Sequence, residues 1–267
     1  MENKNNSKGR LSRRKFLGST ATIAAFSMVP LNYSCRNTPV AETAAGTKPN
    51  SDFGGVQIGA ITYSWRSMPG GVENIIKYCK ETDINIHIVK FSPARWSDEE
   101  IDYAFKAAKT MGAKGVSEEI GEEAVKKLGP IAEKHGMYAV FHNHMQFATE
   151  GFSYDPFLGV SPAVMMNFDA GHFFGSTGIH PNTIIEKYHD RIFSVHLKDK
   201  TGPNTDPANT NQVWGQGEVP ITDVLLLIKK NKWPIHCDIE LEYDVKPWSD
   251  AVKEVKTCVE YARQILI

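Results

Sequence analysis

From residue 54 onward, short apolar runs rich in β-branched residues alternate with longer segments of helical periodicity. This alternation is typical of repeated βα units built around a parallel sheet. The pattern predicts seven strands, at residues 56–64, 85–91, 115–119, 138–144, 164–169, 192–198 and 235–242. It also predicts helices near residues 72–82, 98–111, 121–135, 181–190 and 221–232, and a closing helix over about 248–266.

Seven strands are one fewer than the closed eightfold barrel contains. We therefore predict an α/β fold, a TIM barrel that is incomplete and has seven recognisable βα units. An open, doubly wound sheet is the alternative. No GxGxxG or GxxxxGK[ST] motif follows the first strand, so the sequence does not indicate dinucleotide binding or P-loop phosphate binding.

The first 35 residues differ from the rest, because they carry six basic side chains and one acidic side chain. The segment Ser12-Arg13-Arg14-Lys15-Phe16-Leu17 is followed by a stretch of small and apolar residues at 19–31. This arrangement resembles a twin-arginine export signal, which predicts a periplasmic protein. The apolar stretch is too short to be a permanent membrane span.

Two further predictions concern the residues after this leader. Cys35 is an alternative site for a lipid anchor, although Asn32-Tyr33-Ser34 is a poor approach to a lipidated cysteine. Residues 36–53 are rich in Asn, Thr, Pro, Ala, Gly and Ser and are predicted to be a linker, which leaves 54–267 as the barrel domain.

The formal net charge of -1 hides an uneven distribution. Once the basic leader is set apart, the rest of the chain carries 24 basic and 30 acidic side chains. An acidic body is a poor partner for nucleic acid or anionic lipid, so neither is predicted. The four cysteines form no CxxC pair, which argues against a zinc finger, and they are predicted to be buried.

Histidine and acidic side chains gather at the predicted carboxyl ends of four successive strands. In a barrel these ends open onto one mouth, where active sites are built. Imidazole and carboxylate groups that converge there can hold a divalent metal with an open coordination position. The segments are Phe141-His142-Asn143-His144, Phe168-Asp169, Val195-His196-Leu197-Lys198-Asp199 and Cys237-Asp238-Ile239-Glu240-Leu241-Glu242.

Several of these residues also have a structural alternative. A strand histidine can be a hydrogen-bonded core residue, and Asp169 can be a helix cap. Lys198 can serve the site or form an ion pair with Asp199. The last strand carries three acidic residues on one face, namely Asp238, Glu240 and Glu242. Three carboxylates so close together require cations that balance their charge.

In the order and spacing of these motifs, the chain resembles the xylose isomerase-like barrels. This superfamily includes proteins described as sugar phosphate isomerases and epimerases, inosose dehydratases, ketose 3-epimerases, dehydroshikimate dehydratases and apurinic-site endonucleases. The resemblance places the missing βα unit between the helix near residue 80 and Asn85. Its motifs are His142-Asn143-His144, Asp169-Ala170-Gly171-His172, Val195-His196-Leu197-Lys198-Asp199, Gly215-Gln216-Gly217-Glu218 and Ile239-Glu240-Leu241-Glu242.

The resemblance implies a divalent metal, Mn, Mg, Zn or Co. Relatives usually bind it through Glu, Asp, His and Glu, and Asp169, His196 and Glu240 match the last three. His142 stands where many relatives have the first Glu. In the ketose epimerases two metal-binding carboxylates exchange protons with the substrate, and only Glu240 remains of that pair.

We expect metal-assisted proton abstraction next to a sugar carbonyl, with Glu240 as the base. A second group then returns a proton or expels a leaving group, and the candidates are His144, His172, Lys90 and Lys198. The candidates for substrate binding are Glu119, Trp65 and Trp214. Helix capping is the structural alternative for Glu119, and core packing is the structural alternative for the two tryptophans.

Export favours a substrate without phosphate. The predicted function is therefore a metal-dependent isomerase or epimerase acting on a non-phosphorylated sugar or keto-sugar. The alternatives are a 3-keto-glycoside lyase or hydratase of the same fold, a non-catalytic sugar-binding barrel, and an endonuclease-like phosphodiesterase. The acidic body argues against the last, as does His87 being the only histidine on the early strands. The expected partner is a small sugar, and the sequence is compatible with a homo-oligomer.

Overall fold

The computed structural model describes residues 49–85, 87–110 and 112–267. Its strands are β1 (Asp52–Phe53), β2 (Val56–Ala60), β3 (Ile88–Lys90), β4 (Gly115–Glu119), β5 (Tyr138–His142), β6 (Val164–Asp169), β7 (Ile192–Leu197), β8 (Asp199–Lys200), β9 (Asn211–Gln212) and β10 (His236–Ile239). Its helices are α1 (Val72–Thr82), α2 (Asp98–Thr110), α3 (Glu122–His135), α4 (Asp155–Leu158), α5 (Ala170–Thr177), α6 (Asn182–Tyr188), α7 (Ile221–Asn231) and α8 (Ala251–Leu266). Short 3-10 turns cover Thr62–Trp65 and Gln146–Ala148.

The main sheet has the order β1-β2-β10-β7-β6-β5-β4-β3. All neighbouring pairs are parallel except β1 with β2. The outer parallel strands meet through one isolated bridge, from Gly59 in β2 to Asn85 just before β3. The α/β barrel prediction is confirmed, with seven parallel strands, and the interruption lies where the missing unit was expected.

The gap between β2 and β3 is lined by a buried polar pair. His87 Nδ1 lies 3.0 Å from Asp238 Oδ1, and the two side chains are 6% and 3% exposed. The His87 ring stacks on His236 with 4.0 Å between centroids. A Cβ at Gly59 would collide with both Asp238 and His87, so the absence of a side chain there allows β2 to approach. Polar contacts thus join the sheet where the ladder is interrupted.

Most predicted elements appear with small changes in length. β2 ends at Ala60 because residues 62–65 turn into a 3-10 helix. The closing helix begins at Ala251, where the Asp250 side chain accepts the backbone N–H of Lys253 at 3.0 Å. Helix α5 was not predicted, since Ala170–Thr177 has little amphipathic periodicity and depends on a cap from Asp169.

The predicted export signal, Cys35 and residues 36–48 of the predicted linker lie outside the described residues. The end of that linker belongs to the fold, because β1 pairs with β2 and Ser51 is fully buried. Cys79, Cys237 and Cys258 are buried, as predicted. Within the described part of the chain, no helix combines the length and apolar character needed to cross a membrane.

We predict that Asp238→Ala lowers the free energy of unfolding by about 1–3 kcal/mol, because it leaves His87 buried without its partner. Chemical denaturation would measure the change. Asp223→Ala is the matched control, since Asp223 pairs with His180 at 3.2 Å on the surface, with side chains 61% and 41% exposed. An equal loss in both variants would contradict a special role for the buried pair.

Candidate active site

Four predicted metal ligands come together at the barrel mouth. One ligand atom from each of His142, Asp169, His196 and Glu240 lies within 4.8 Å of the others. All four residues are at most 3% exposed. They meet because β5, β6, β7 and β10 are neighbours in the sheet, and the parallel register sets Asp169 beside His196. The sequence prediction that these side chains converge therefore agrees with the structure.

The donor atoms of this cluster suit a cation. His196 Nδ1 lies 2.8 Å from Glu240 Oε2 and 3.8 Å from Asp169 Oδ2. Within the described residues, none of these three atoms forms a hydrogen bond of regular geometry, although Lys198 Nζ forms ion pairs with both carboxylate oxygens. Burial holds the pKa of His142 well below its usual range, which keeps its imidazole neutral. Buried carboxylate oxygens beside imidazole nitrogens are the donor set of a divalent metal.

Lys198 extends into the same cluster. Its Nζ lies 2.8 Å from Asp169 Oδ2, 2.9 Å from Glu240 Oε2 and 3.0 Å from Glu242 Oε2, and its side chain is 2% exposed. Burial alone would lower the pKa of Lys198, but the carboxylates outweigh burial and raise the pKa above its usual value. Burial likewise opposes ionisation of Glu240, yet Lys198 and His196 hold its pKa well below the ordinary value.

Asp199 is not the ion-pair partner of Lys198. Its carboxylate instead accepts backbone N–H groups from four residues, at 2.8 to 3.2 Å: Lys200, Gly215, Gly217 and Val219. A Cβ at Gly217 would collide with Asp199. The Gly215-Gln216-Gly217 motif therefore folds the loop back onto Asp199, the residue next to Lys198.

A second polar group lies beside the cluster. Glu119 accepts from Lys90 Nζ at 2.9 Å through one oxygen and contacts His144 Nε2 at 2.9 Å through the other. Burial raises the pKa of Glu119, but His144 and Lys90 outweigh it and lower the pKa to about 2. The Glu119 hydrogen bond raises the pKa of His144, whose side chain remains 47% exposed.

His172 connects the two groups. Its ring centroid lies 4.9 Å from that of His144, and its Nε2 lies 3.7 Å from Glu242 Oε2. Neither ring nitrogen has a hydrogen-bond partner among the described residues. Burial, reinforced by the positive charge of Lys198, lowers the pKa of His172 to about 3, so its ring is neutral.

The two aromatic candidates for substrate binding, Trp65 and Trp214, are core residues. Trp65 is 2% exposed and packs against Tyr78 with 6.0 Å between ring centroids. Trp214 is 7% exposed and meets Tyr261 edge-on at 5.8 Å. Core packing, the alternative considered for both rings, is therefore what the structure contains.

The sequence analysis gave two residues of the site no catalytic, ligand or substrate-binding role, although it noted Glu242 as one of three acids on one face of the last strand. Asn167 Nδ2 donates to His196 Nε2 at 2.9 Å and so orients that ring. Glu242 holds the third contact of Lys198. Their spacing was the available signal, because each stands two residues from a predicted ligand and strand residues two apart point to the same face.

The similarity to known proteins agrees with this geometry. A profile of the xylose isomerase-like TIM barrel family matches residues 68–263. The chain belongs to this family. Its fold is therefore shared with other xylose isomerase-like proteins, although family membership leaves the reaction open.

The curated relatives are similar over part of their length. The inosose dehydratase of Clostridium beijerinckii is 38% identical over 80 residues, which cover 29% of this chain and 26% of the relative. Inosose dehydratase 1 of Bacillus cereus is 29% identical over 154 residues, which cover 51% of each chain. This chain thus spans about half the length of these relatives or less.

Solved structures support the fold. A xylose isomerase domain protein from Planctomyces limnophilus aligns with a TM-score of 0.54 and 16% identity, covering 72% of this chain and 82% of its own. The 3-keto-D-glucoside 4-epimerase from E. coli aligns with a TM-score of 0.55 and 11% identity, covering 78% and 99%. At these identities the likeness concerns the fold alone.

We predict that Asp169→Asn weakens divalent metal binding at least about 10-fold, because it removes an anionic ligand. Asparagine retains the capping ability of aspartate, so helix α5 should persist. Metal content after loading with Mn²⁺ and the metal-induced rise in melting temperature would measure the effect. Asp250→Asn, at the cap of α8, is the matched control, and an equal metal content in both variants would argue against this site.

Proposed function

We propose that this protein is a divalent-metal-dependent enzyme that removes a proton next to the carbonyl of a non-phosphorylated keto-sugar or cyclitol ketone. The observation that carries the proposal is the buried cluster of His142, Asp169, His196 and Glu240 beside the half-exposed ring of His144. A metal bound by these four residues would stabilise negative charge on the carbonyl oxygen. The predicted export leader favours a substrate without phosphate.

His144 is the best candidate for the base. Its ring lies 4.8 Å from the ring of His142, so it borders the metal cluster while half of its side chain reaches solvent. Glu119 engages Nε2, which leaves Nδ1 for the substrate. A carboxylate behind a histidine fixes its tautomer and its orientation. Lys90 holds Glu119 in place through its 2.9 Å contact.

Glu240 is better suited to metal binding than to proton transfer. Its Oε2 lies 2.8 Å from His196 and 2.9 Å from Lys198, so it is already engaged by two groups. A two-carboxylate exchange between opposite faces of a substrate also needs a second ligand carboxylate, and His142 stands at that position. These features favour a reaction that uses one base.

Elimination of water meets this requirement. His144 takes the proton from the carbon next to the carbonyl, and the electrons of that C–H bond form the enolate of the substrate. The same proton then passes to the hydroxyl group on the β-carbon, which leaves as water while the carbonyl re-forms and a double bond forms between the α- and β-carbons. His144 ends neutral, and the net change is the loss of one water. The names of the curated relatives, inosose dehydratases, favour the same reaction.

We predict that His144→Gln lowers proton abstraction at least about 100-fold, the usual contribution of a general base. The Mn²⁺-loaded protein would be incubated in deuterated water with an inosose, a 3-keto-glucoside and free aldoses, and the products analysed by mass spectrometry. His180→Gln, which removes an exposed histidine paired with Asp223, is the matched control.

The products distinguish the alternatives. Loss of water supports the dehydratase, whereas deuterium in an isomer or epimer without loss of water indicates the isomerase or epimerase predicted from sequence. Metal binding together with neither deuterium nor water loss on any substrate would overturn proton abstraction and favour a sugar-binding barrel. Full activity of His144→Gln would remove His144 from the proposal.

A further inference from the structure

Lys198 contacts the oxygens that a metal would need. Its Nζ lies 2.8 Å from Asp169 Oδ2 and 2.9 Å from Glu240 Oε2. These are the same oxygens that lie 3.8 and 2.8 Å from His196 Nδ1. Its third contact, Glu242 Oε2 at 3.0 Å, belongs to a residue outside the four-ligand cluster. The ammonium group therefore stands between the metal ligands and one additional carboxylate.

The backbone around Lys198 supports this position. A Cβ at Gly171 would collide with Lys198 Cγ, so the absence of a side chain there leaves room for the lysine chain. On the other side, the four backbone N–H groups bound to Asp199 hold the residue next to Lys198. The lysine is therefore seated in the fold and is not a surface side chain.

Charge balance indicates that the cluster binds both the Lys198 ammonium group and a divalent cation. In their ionised forms, Asp169, Glu240 and Glu242 carry three negative charges, against the single positive charge of Lys198. One divalent cation would supply the missing two positive charges. Two cations cannot contact the same two oxygens without strong repulsion at this separation, since burial weakens solvent screening.

We propose that Lys198 is a positioning residue that competes directly with the divalent metal for Asp169 and Glu240, and that it moves onto Glu242 when the metal binds. The proposal rests on the metal site of the proposed function. In this scheme Glu242 affects the metal affinity, because its carboxylate pairs with the Lys198 ammonium group once the metal has displaced that group from Asp169 and Glu240.

Isothermal titration with Co²⁺ tests the proposal. Lys198→Met keeps the length of the side chain and removes its charge, so we expect Co²⁺ to bind at least about 10-fold more tightly than in the unmodified protein. Lys200→Met is the matched control: Lys200 is also buried, but its Nζ donates to Asn211 at 2.8 Å. We expect Lys200→Met to change the affinity less than about 3-fold.

A second variant tests the role of Glu242. Glu242→Gln should weaken Co²⁺ binding several-fold in the unmodified background, and much less in the Lys198→Met background, where no ammonium needs a new partner. Without metal, Lys198→Met should melt at a lower temperature than the unmodified protein, and Co²⁺ should restore it. The Co²⁺ absorption spectrum should be the same in both proteins, since the ligands are unchanged.

The outcomes separate this inference from the metal site itself. Unchanged or weaker Co²⁺ binding in Lys198→Met, or an equal effect of Glu242→Gln in both backgrounds, would overturn the competition while leaving the metal site standing. Absence of binding in both the unmodified protein and Lys198→Met would overturn both. If Lys198→Met does not fold, the Co²⁺ titration of the single variant Glu242→Gln tests the proposal. A Co²⁺ affinity equal to that of the unmodified protein would then reject it.

Discussion

The ammonium group of Lys198 lies within 3.0 Å of Asp169, Glu240 and Glu242, in a region almost closed to water. Removing carboxylates from water costs several kcal/mol per ion unless cations compensate. The mouth of this barrel therefore depends on positive charge. Lys198, directly after β7, supplies one such charge, and imidazoles from β5 and β7 reach the same place, which leaves the cluster suited to one further cation.

Much of the surrounding structure serves that arrangement. Gly171 leaves room for the lysine chain, and the loop amides bound by Asp199 hold the adjacent backbone. Asp169 also caps helix α5, because its Oδ1 accepts the backbone N–H of His172 at 2.7 Å. One carboxylate thus both begins a helix and contributes to the cluster, and the helix in turn carries His172 into the mouth.

The same strand end holds another buried carboxylate. Asp238 is buried two residues before Glu240, and it pairs with His87 across the interruption between β2 and β3. A barrel with seven parallel strands needs another connection at this point. The bridge from Gly59 to Asn85 and the His87–Asp238 pair provide it with few residues.

The sequence by itself determined the strands, most helices and the side on which the chemistry gathers, because periodicity and parallel strand ends are local properties that survive in any barrel of this type. It also identified His142, Asp169, His196 and Glu240 as one group. Only the tertiary structure decided which partners they have. That Asp199 binds loop amides, that Lys198 serves three carboxylates, and that Trp65 and Trp214 lie in the core depend on distances between residues far apart in the chain. Spacing along a sequence does not encode such distances, since they follow from how the sheet curls and how its loops return to it.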